Sequence, residues 1–316
     1  MKTMKLNEKT MQSLAIVVSF GIIANLLWGS AVPMIKTGYK ILQIASDDTA
    51  SQLLFAGIRF FTAGILTVIL GSILNGGLLI PSKAALPKIG LLSIFQTIIQ
   101  YVLFYIGCAN AAGYKVSIFC ATSSFVSILM ASLVFRLEKL SAKKILGCIL
   151  GFSGVILINV SSAGGFDLDM KFVGEGFILI SSVSFSFANI LTKRYSKTEN
   201  PVMLCGWQFI LGGAVLILTA LAFGGRIDFN GVSGPLVILY LAMVSAVAFS
   251  LTSLLMKYNP VSRVSIYAFL NPVFGVLLSI LILGESGQNF GLRGLLALFL
   301  VCAGVFTVNY TKTKTS

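Results

Sequence analysis

Several stretches of this chain run for more than twenty residues without a charged side chain, among them Thr10–Ile35, Ile89–Tyr114, Ile145–Phe166, Asn200–Gly225 and Phe229–Met256. A helix needs about 20 apolar residues to cross the ~30 Å hydrocarbon core of a bilayer. In lipid a backbone must pair all of its own polar groups, so runs of this kind become helices. Only 10% of the 316 residues are charged, against about 25% in a soluble domain, too few to cover a water-facing surface. The expected fold class is an all-α integral membrane protein.

Ten transmembrane helices are predicted, over approximately 13–35, 52–73, 88–109, 115–135, 144–161, 173–194, 202–223, 235–256, 263–283 and 290–310. The first begins with Lys2, Lys5 and Lys9, as a signal peptide would, but no small-residue cleavage site follows it and it is read as retained. With the N-terminus cytoplasmic, sixteen of the 23 lysines and arginines fall inside, six fall outside (Lys36, Lys40, Lys115, Lys171, Arg226 and Arg293), and Arg59 lies within a helix. That bias predicts a multi-pass protein of the cell (inner) membrane with both termini cytoplasmic and Phe166–Lys171 exposed outside. It also accounts for the net charge of +13, and the basic residues form no single patch of the kind that binds nucleic acid. Cys108, Cys120, Cys148, Cys205 and Cys302 all fall in predicted helices, without metal-ligand spacing, and are read as small buried hydrophobes. Neither metal nor cofactor is expected. The predicted partners are the lipid bilayer and a small-molecule substrate, in a monomer or a homodimer.

The first span ends in WGSAVPMIK, Trp28–Lys36, where Gly29, Ser30 and Pro33 all weaken a helix and Lys36 is read as its end. The pattern returns as FSFANILTK, Phe185–Lys193, with the aromatic and the lysine at the same spacing. AGIRFFTAG (Ala56–Gly64) likewise lies over CGWQFILGG (Cys205–Gly213), pairing Gly57 with Gly206, Phe60 with Phe209 and Gly64 with Gly213. KVSIF (Lys115–Phe119) matches RVSIY (Arg263–Tyr267), and GVILIN (Gly154–Asn159) matches GVFTVN (Gly304–Asn309). Four pairings in one order define a repeat, with units at 1–165 and 166–316. Each unit holds five helices, an odd number, so the second copy enters from the opposite side and the halves are inverted. Inverted repeats let many secondary transporters open to either side of a central site. The glycine, serine and proline of the first span then allow bending and close helix approach.

These residues resemble the drug/metabolite transporter superfamily, in its ten-helix EamA-type branch. The likeness is carried by LLWGSAVPMIK and LLFAGIRFFTAG, by SSFVSILMASLVFRLEKLSAKKILGCILGFSGVILI, by GWQFILGGAVLIL, and by LNPVFGVLLSILILGESGQNFGLRGLLALFLVCAGVF. The family's usual Thr/Ser-Pro of helix 4 stands here as Ser123–Ser124, whereas Asn271–Pro272 keeps the proline in helix 9. The resemblance implies transport of metabolites, usually export, through a cavity between the halves near the bilayer midplane. The family carries amino acids, other metabolites and drugs on one scaffold.

Charged groups inside a span are costly and mark functional positions. Arg59 is the clear case; it could bind an anionic group, contact a gate, hydrogen-bond helix ends or snorkel outward, and its repeat partner is the uncharged Gln208. No Asp or Glu sits near a helix centre. Glu175 lies in the first turn of helix 6, Glu138 and Glu285 end helices 4 and 9, and the chain has no histidine. Proton antiport of cations is therefore disfavoured, and neutral or zwitterionic metabolites such as amino acids fit better. Candidate substrate-binding residues are Asn25, Trp28, Arg59, Gln96, Gln100, Tyr101, Tyr105, Ser117, Trp207, Ser250, Tyr267 and Asn271, with Thr122 and Ser245 as further mid-span polar groups. Drug or cation efflux is the alternative within transporters. An intramembrane enzyme is the alternative from another class, but histidine chemistry is excluded, and no phosphate loop, metal cluster or deep lysine is present.

Overall fold

The computed structural model describes residues 8–136, 140–158, 170–229, 231–259, 264, 266–284 and 287–309. Among them a short helical turn, Glu8–Met11, precedes ten helices and no strand. Helix α1 spans Leu14–Ile41, α2 Thr49–Asn75, α3 Leu86–Asn110, α4 Gly113–Val134 and α5 Ala142–Leu157. Helix α6 spans Phe172–Tyr195, α7 Pro201–Ala222, α8 Ser233–Tyr258, α9 Tyr267–Leu283 and α10 Gly287–Asn309. Seven are long and apolar enough to cross a membrane by length and composition, and α9 and the part of α10 over Gly291–Thr307 are shorter apolar helices. Large apolar side chains such as Leu218, Leu281 and Phe299 point outward; a bilayer makes that surface a solvated one, where water would not. Met170 and Lys171 are exposed, while Phe166 to Asp169, Glu138, Glu285 and Arg263 lie outside the described residues.

Helix starts follow from capping chemistry. Asp48 accepts from Ser51 N at the head of α2, and Asn200 accepts from Val202 N and Met203 N at the head of α7, so the two equivalent helices begin with the same kind of side-chain cap. The end of α1 differs from the sequence expectation: it runs past Lys36 to Ile41, with Pro33 inside. Beyond Pro33 the helix still buries Ile35, Gly38 and Tyr39, and a Cβ at Gly38 would meet the Phe55 ring at 2.6 Å. Packing against Phe55 of α2 and Val237 of α8 carries the helix past Lys36, which is half-buried rather than terminal. A lysine can mark a polarity boundary without ending a helix.

The two halves interlock through contacts that exchange with one another. Helix α1 packs on α8 and α9 as α6 packs on α3 and α4, and α2 meets α8 as α7 meets α3. The self-equivalent pairs α2/α7 and α5/α10 are the most extensive contacts. A Cβ on Gly57 would lie 3.1 Å from Gly213 O, and one on Gly64 would lie 2.7 Å from Gly206 O. Position rises along α2 as it falls along α7, so the two are antiparallel, and the two contacts are repeat equivalents of each other. At α5/α10, Gly154 meets Ala297 O and Gly304 meets Gly147 O, each at 2.6 Å from a built Cβ. Antiparallel equivalents exchange only about an axis across the helices, which lies in the membrane plane. The repeats are inverted.

Breaks in α4 and α9 also correspond. Helix α4 breaks at Ala121 (φ −65°, ψ −20°), and α9 turns from a 3₁₀ segment, Ile266–Phe269, into α-helix at Phe269 (φ −65°, ψ −21°). One break precedes Ser123–Ser124 and the other precedes Asn271–Pro272, so the geometry survives without the proline. In α4, Thr122 Oγ1 donates to Phe119 O at 2.6 Å and Ser123 Oγ to Cys120 O at 2.7 Å.

Candidate functional site

The centre of the molecule is the α2/α7 crossing. Gly57, Gly64, Gly206 and Gly213 let the backbones touch there, which brings the rings of Phe60 and Phe209 together, tilted by 31° with centroids 5.2 Å apart. Tyr101 from α3 stacks on Phe60 at 4.0 Å, and Phe249 from α8 meets Phe209 at 5.1 Å. Trp28 from α1 extends the row, edge-on to Phe249 at 5.5 Å. The result is an aromatic column of five rings drawn from α1, α8, α7, α2 and α3, centred on the self-equivalent pair Phe60/Phe209. Sequence reading found Trp28 and Tyr101. It met Phe60 and Phe209 only as repeat markers, and it missed Phe249; a repeat-equivalent aromatic opposite Tyr101 was the available signal.

A polar bracket stands on each side of the column. On one side Arg59, 3% exposed, donates from Nη1 to Tyr105 Oη at 2.7 Å, from Nη2 to Ser245 Oγ at 3.0 Å and from Nε to Leu241 O at 3.2 Å. Its guanidinium also lies 4.9 Å from the centre of the Phe60 ring. Arg59 therefore ties α2 to α3 and α8, and Tyr39 Oη extends the network by donating to Tyr105 O at 3.0 Å. On the other side the repeat equivalent Gln208, fully buried, accepts from Thr97 Oγ1, while its backbone O accepts from Ser93 Oγ at 3.0 Å. Ser93 and Thr97 reach α7 because the π-helical stretch Ser93–Ile99 turns that part of α3 toward it; such stretches recur at functional sites. Contact for contact, Arg59–Ser245 is matched by Gln208–Thr97. The difference between the brackets is a full charge.

Several other candidates are placed near this core. Gln96 and Gln100 are 4% and 8% exposed, and the Gln100 Oε1 is buried with no hydrogen-bond partner. The Ser250 Oγ is buried and unpartnered as well. The rest sit in helix contacts. Asn25 Nδ2 donates to Gly21 O of its own helix at 2.8 Å, and Tyr267 lies against Gly21, its Cδ2 2.8 Å from a built Cβ. Ser117 donates to Gly113 O and abuts Gly275 across α4/α9. Thr122 is turned to Phe119 O at the break in α4. Asn271, half-buried, follows the break in α9. Trp207 Nε1 donates to Leu79 O at 2.7 Å, fastening α7 to the loop between α2 and α3. Ser30, not among the candidates, shares a 2.7 Å hydrogen bond with Tyr240 Oη across α1/α8.

Cavities open away from the column. One of about 450 Å³ lies between the start of α2 and the end of α7, lined by Asp47, Asp48, Thr49, Leu53, Thr219 and Phe223 among others. Another of about 260 Å³ lies between α9 and α10, against Phe269, Phe299, Cys302 and Phe306. None of the twelve candidates lines either. An ion pair lies at each end of the bundle: Lys88–Glu199 at 2.6 Å joins the start of α3 to the α6–α7 loop, and Lys115–Glu175 at 3.5 Å joins the starts of α4 and α6 at the opposite end. Glu175 also accepts from Lys171 N at 3.0 Å.

A helical bundle of two inverted five-helix repeats, with its polar groups gathered at the repeat interface and an apolar exterior, defines a multi-pass membrane transporter. The sequence profile of the EamA-like transporter family matches residues 15–160 and 172–310. This chain belongs to that family. An uncharacterized transporter of Bacillus subtilis (strain 168), YvbV, is 26% identical over 305 residues, 92% of this chain and 90% of its own length. An uncharacterized inner membrane transporter of Escherichia coli (strain K12), YedA, is 25% identical over 292 residues, 91% of this chain and 88% of its own. A chloroplastic WAT1-related protein of Arabidopsis thaliana is 23% identical over 286 residues, 87% of this chain and 66% of that protein. One solved crystal structure superposes with a TM-score of 0.67 at 16% identity, over 93% of this chain and 96% of its own, a likeness of fold.

Proposed function

We propose that this protein is an exporter of small neutral or zwitterionic metabolites such as amino acids, working by alternating access between the halves 1–165 and 166–316, with no part in catalysis. One observation carries the reading. The helices around the aromatic column, α1, α2, α3, α7 and α8, contain no Asp or Glu, so the centre offers neutral hydrogen-bonding groups and one cation but no fixed anion to hold a cationic drug. The excess of lysine and arginine on one side supports cytoplasmic termini in a cell or inner membrane, as does the relative in Escherichia coli, itself described as an inner membrane transporter. With an ion pair at each end and the column closed, the structure reads as an occluded conformation, in which Gln100, Tyr101, Trp28 and Asn271 reach substrate once the halves rock apart.

The test is counterflow in proteoliposomes, comparing amino acids, nucleobases and lipophilic cations. Amino acids or other uncharged metabolites are expected to exchange, and Gln100→Ala is expected to remove about 1–3 kcal/mol of binding through the lost hydrogen bond, roughly a 5- to 150-fold fall in apparent affinity. Proton-driven efflux of a permanent lipophilic cation with no metabolite exchange overturns the reading.

A further inference from the structure

Arg59 carries more charge than its structural role requires. Its hydrogen bonds tie α2 to α3 and α8, but every acceptor among them is neutral: a tyrosine hydroxyl, a serine hydroxyl and a backbone carbonyl. Among the described residues the ion pairs are Lys88–Glu199 and Lys115–Glu175, and neither includes Arg59. The surrounding helices hold no acidic residue with which it could pair. The repeat provides an internal control, because the neutral amide of Gln208 makes the equivalent tie to Thr97 in the other half. Hydrogen bonds satisfy the donors of the guanidinium and the Phe60 ring faces it at 4.9 Å, but no anion balances its buried charge, a cost a structural tie has no reason to bear.

A second cation repeats the asymmetry. Lys36 is half-buried on α1, whereas its repeat equivalent Lys193 is exposed. In both cases the first half holds the buried or half-buried cation and the second half does not.

We propose that Arg59, with Tyr105 and Ser245, is the docking point for a substrate carboxylate. The planar fork of arginine suits a carboxylate in two-pronged pairing. In the closed, empty state Tyr105 and Ser245 hold the guanidinium in place, and a carboxylate takes over these bonds while supplying the missing charge. The inference rests on the transport reading above and narrows its substrate to molecules that carry a carboxylate.

The experiment compares wild type, Arg59→Gln and Arg59→Lys as purified full-length proteins. Arg59→Gln copies the residue that already serves at the equivalent position, so it is expected to fold. Two readouts are taken: thermal stabilisation in detergent, and counterflow in proteoliposomes. Each uses the neutral amino acids, the same compounds with the carboxylate converted to a carboxamide, and chloride or phosphate alone. Wild type is expected to prefer carboxylates over carboxamides by roughly ten- to a hundredfold, the size of hydrogen bonds to a charged group. Arg59→Gln should bring that ratio close to one, and Arg59→Lys should keep part of it. An Arg59→Gln protein that folds and keeps the preference overturns the proposal. So does wild type that responds to chloride or phosphate but not to the carboxylate, which makes the site one for inorganic anions. Wild type that exchanges neutral metabolites without regard to the carboxylate sinks this inference and leaves the transport reading standing. Wild type that moves only cations sinks both.

Discussion

At the residue scale, glycine decides how near the halves can come. A Cβ on Gly64 would stand 2.6 Å from Ile210 N and 2.7 Å from Gly206 O, both backbone atoms of α7 that cannot swing aside. Gly64→Ala therefore has to push α2 and α7 apart at the crossing that stacks Phe60 on Phe209. We expect it to cost about 1–3 kcal/mol, the usual range for overpacking, and to lower the thermal midpoint in detergent. Gly77→Ala is the control, since nothing lies within 4 Å of its Cβ, and its midpoint should stay at the wild-type value. An unchanged midpoint for Gly64→Ala would remove the close approach from the account of the fold. Sequence reading could see this pair of glycines because they recur in register with Phe60 and Phe209. It could not see that Gly57 faces Gly213 rather than Gly206, because which residue lies opposite depends on the crossing, not on the order of residues along either helix.

At the element scale, the breaks in α4 and α9 show one geometry reached by two chemistries. In α9 a proline at 272 has no backbone N–H to continue the ladder. In α4 the hydroxyls of Thr122 and Ser123 occupy the carbonyls of Phe119 and Cys120 instead, a local competition with the helix that bends it. Replacing both, as Thr122→Val with Ser123→Ala, returns those carbonyls to helical donors and should straighten α4. Transport measured by counterflow is then expected to fall several-fold while expression and monodispersity persist; full transport with both hydroxyls gone would mean that the break is set by packing alone. The missing proline was plain in the sequence, but its consequence was not, because serine and threonine are equally common in straight spans. The run of α1 past Lys36 teaches the same lesson from the other direction: burial of Gly38 and Tyr39 against α2 outweighs one half-buried charge.

At the scale of the whole molecule, the alternating-access proposal makes the ion pairs at opposite ends the groups that part when either side opens. Glu175 is 3% exposed, and a buried pair of this kind resists separation more than a surface one. Joining the pair covalently should arrest the cycle. Starting from a version in which Cys108, Cys120, Cys148, Cys205 and Cys302 are replaced, all five being free thiols, Lys115→Cys with Glu175→Cys is expected to lose transport on oxidation and regain it on reduction. Transport that continues with the crosslink formed would show that this end does not gate. The same pair illustrates why a charge can be read correctly and still be incompletely understood. Glu175 in the first turn of α6 was evident along the chain, but its partner on α4 lies sixty residues away.

The sequence alone determined the membrane class, the ten helices, the inverted repeat and the family resemblance, because each rests on hydropathy and periodicity, which accumulate over many residues and survive local exceptions. It also singled out Arg59, since a lone charge in an apolar run is conspicuous without coordinates. Only the tertiary structure decided which polar groups face one another. It joined Arg59 to Tyr105 and Ser245, gave Trp207 to the α2–α3 loop, turned Asn25 back on its own helix, and left Gln100 with an unfilled acceptor. The physical reason is that a polar side chain in a span takes its partner from a neighbouring helix, and the identity of that neighbour is set by glycine contacts and aromatic stacking at a crossing that no linear pattern encodes.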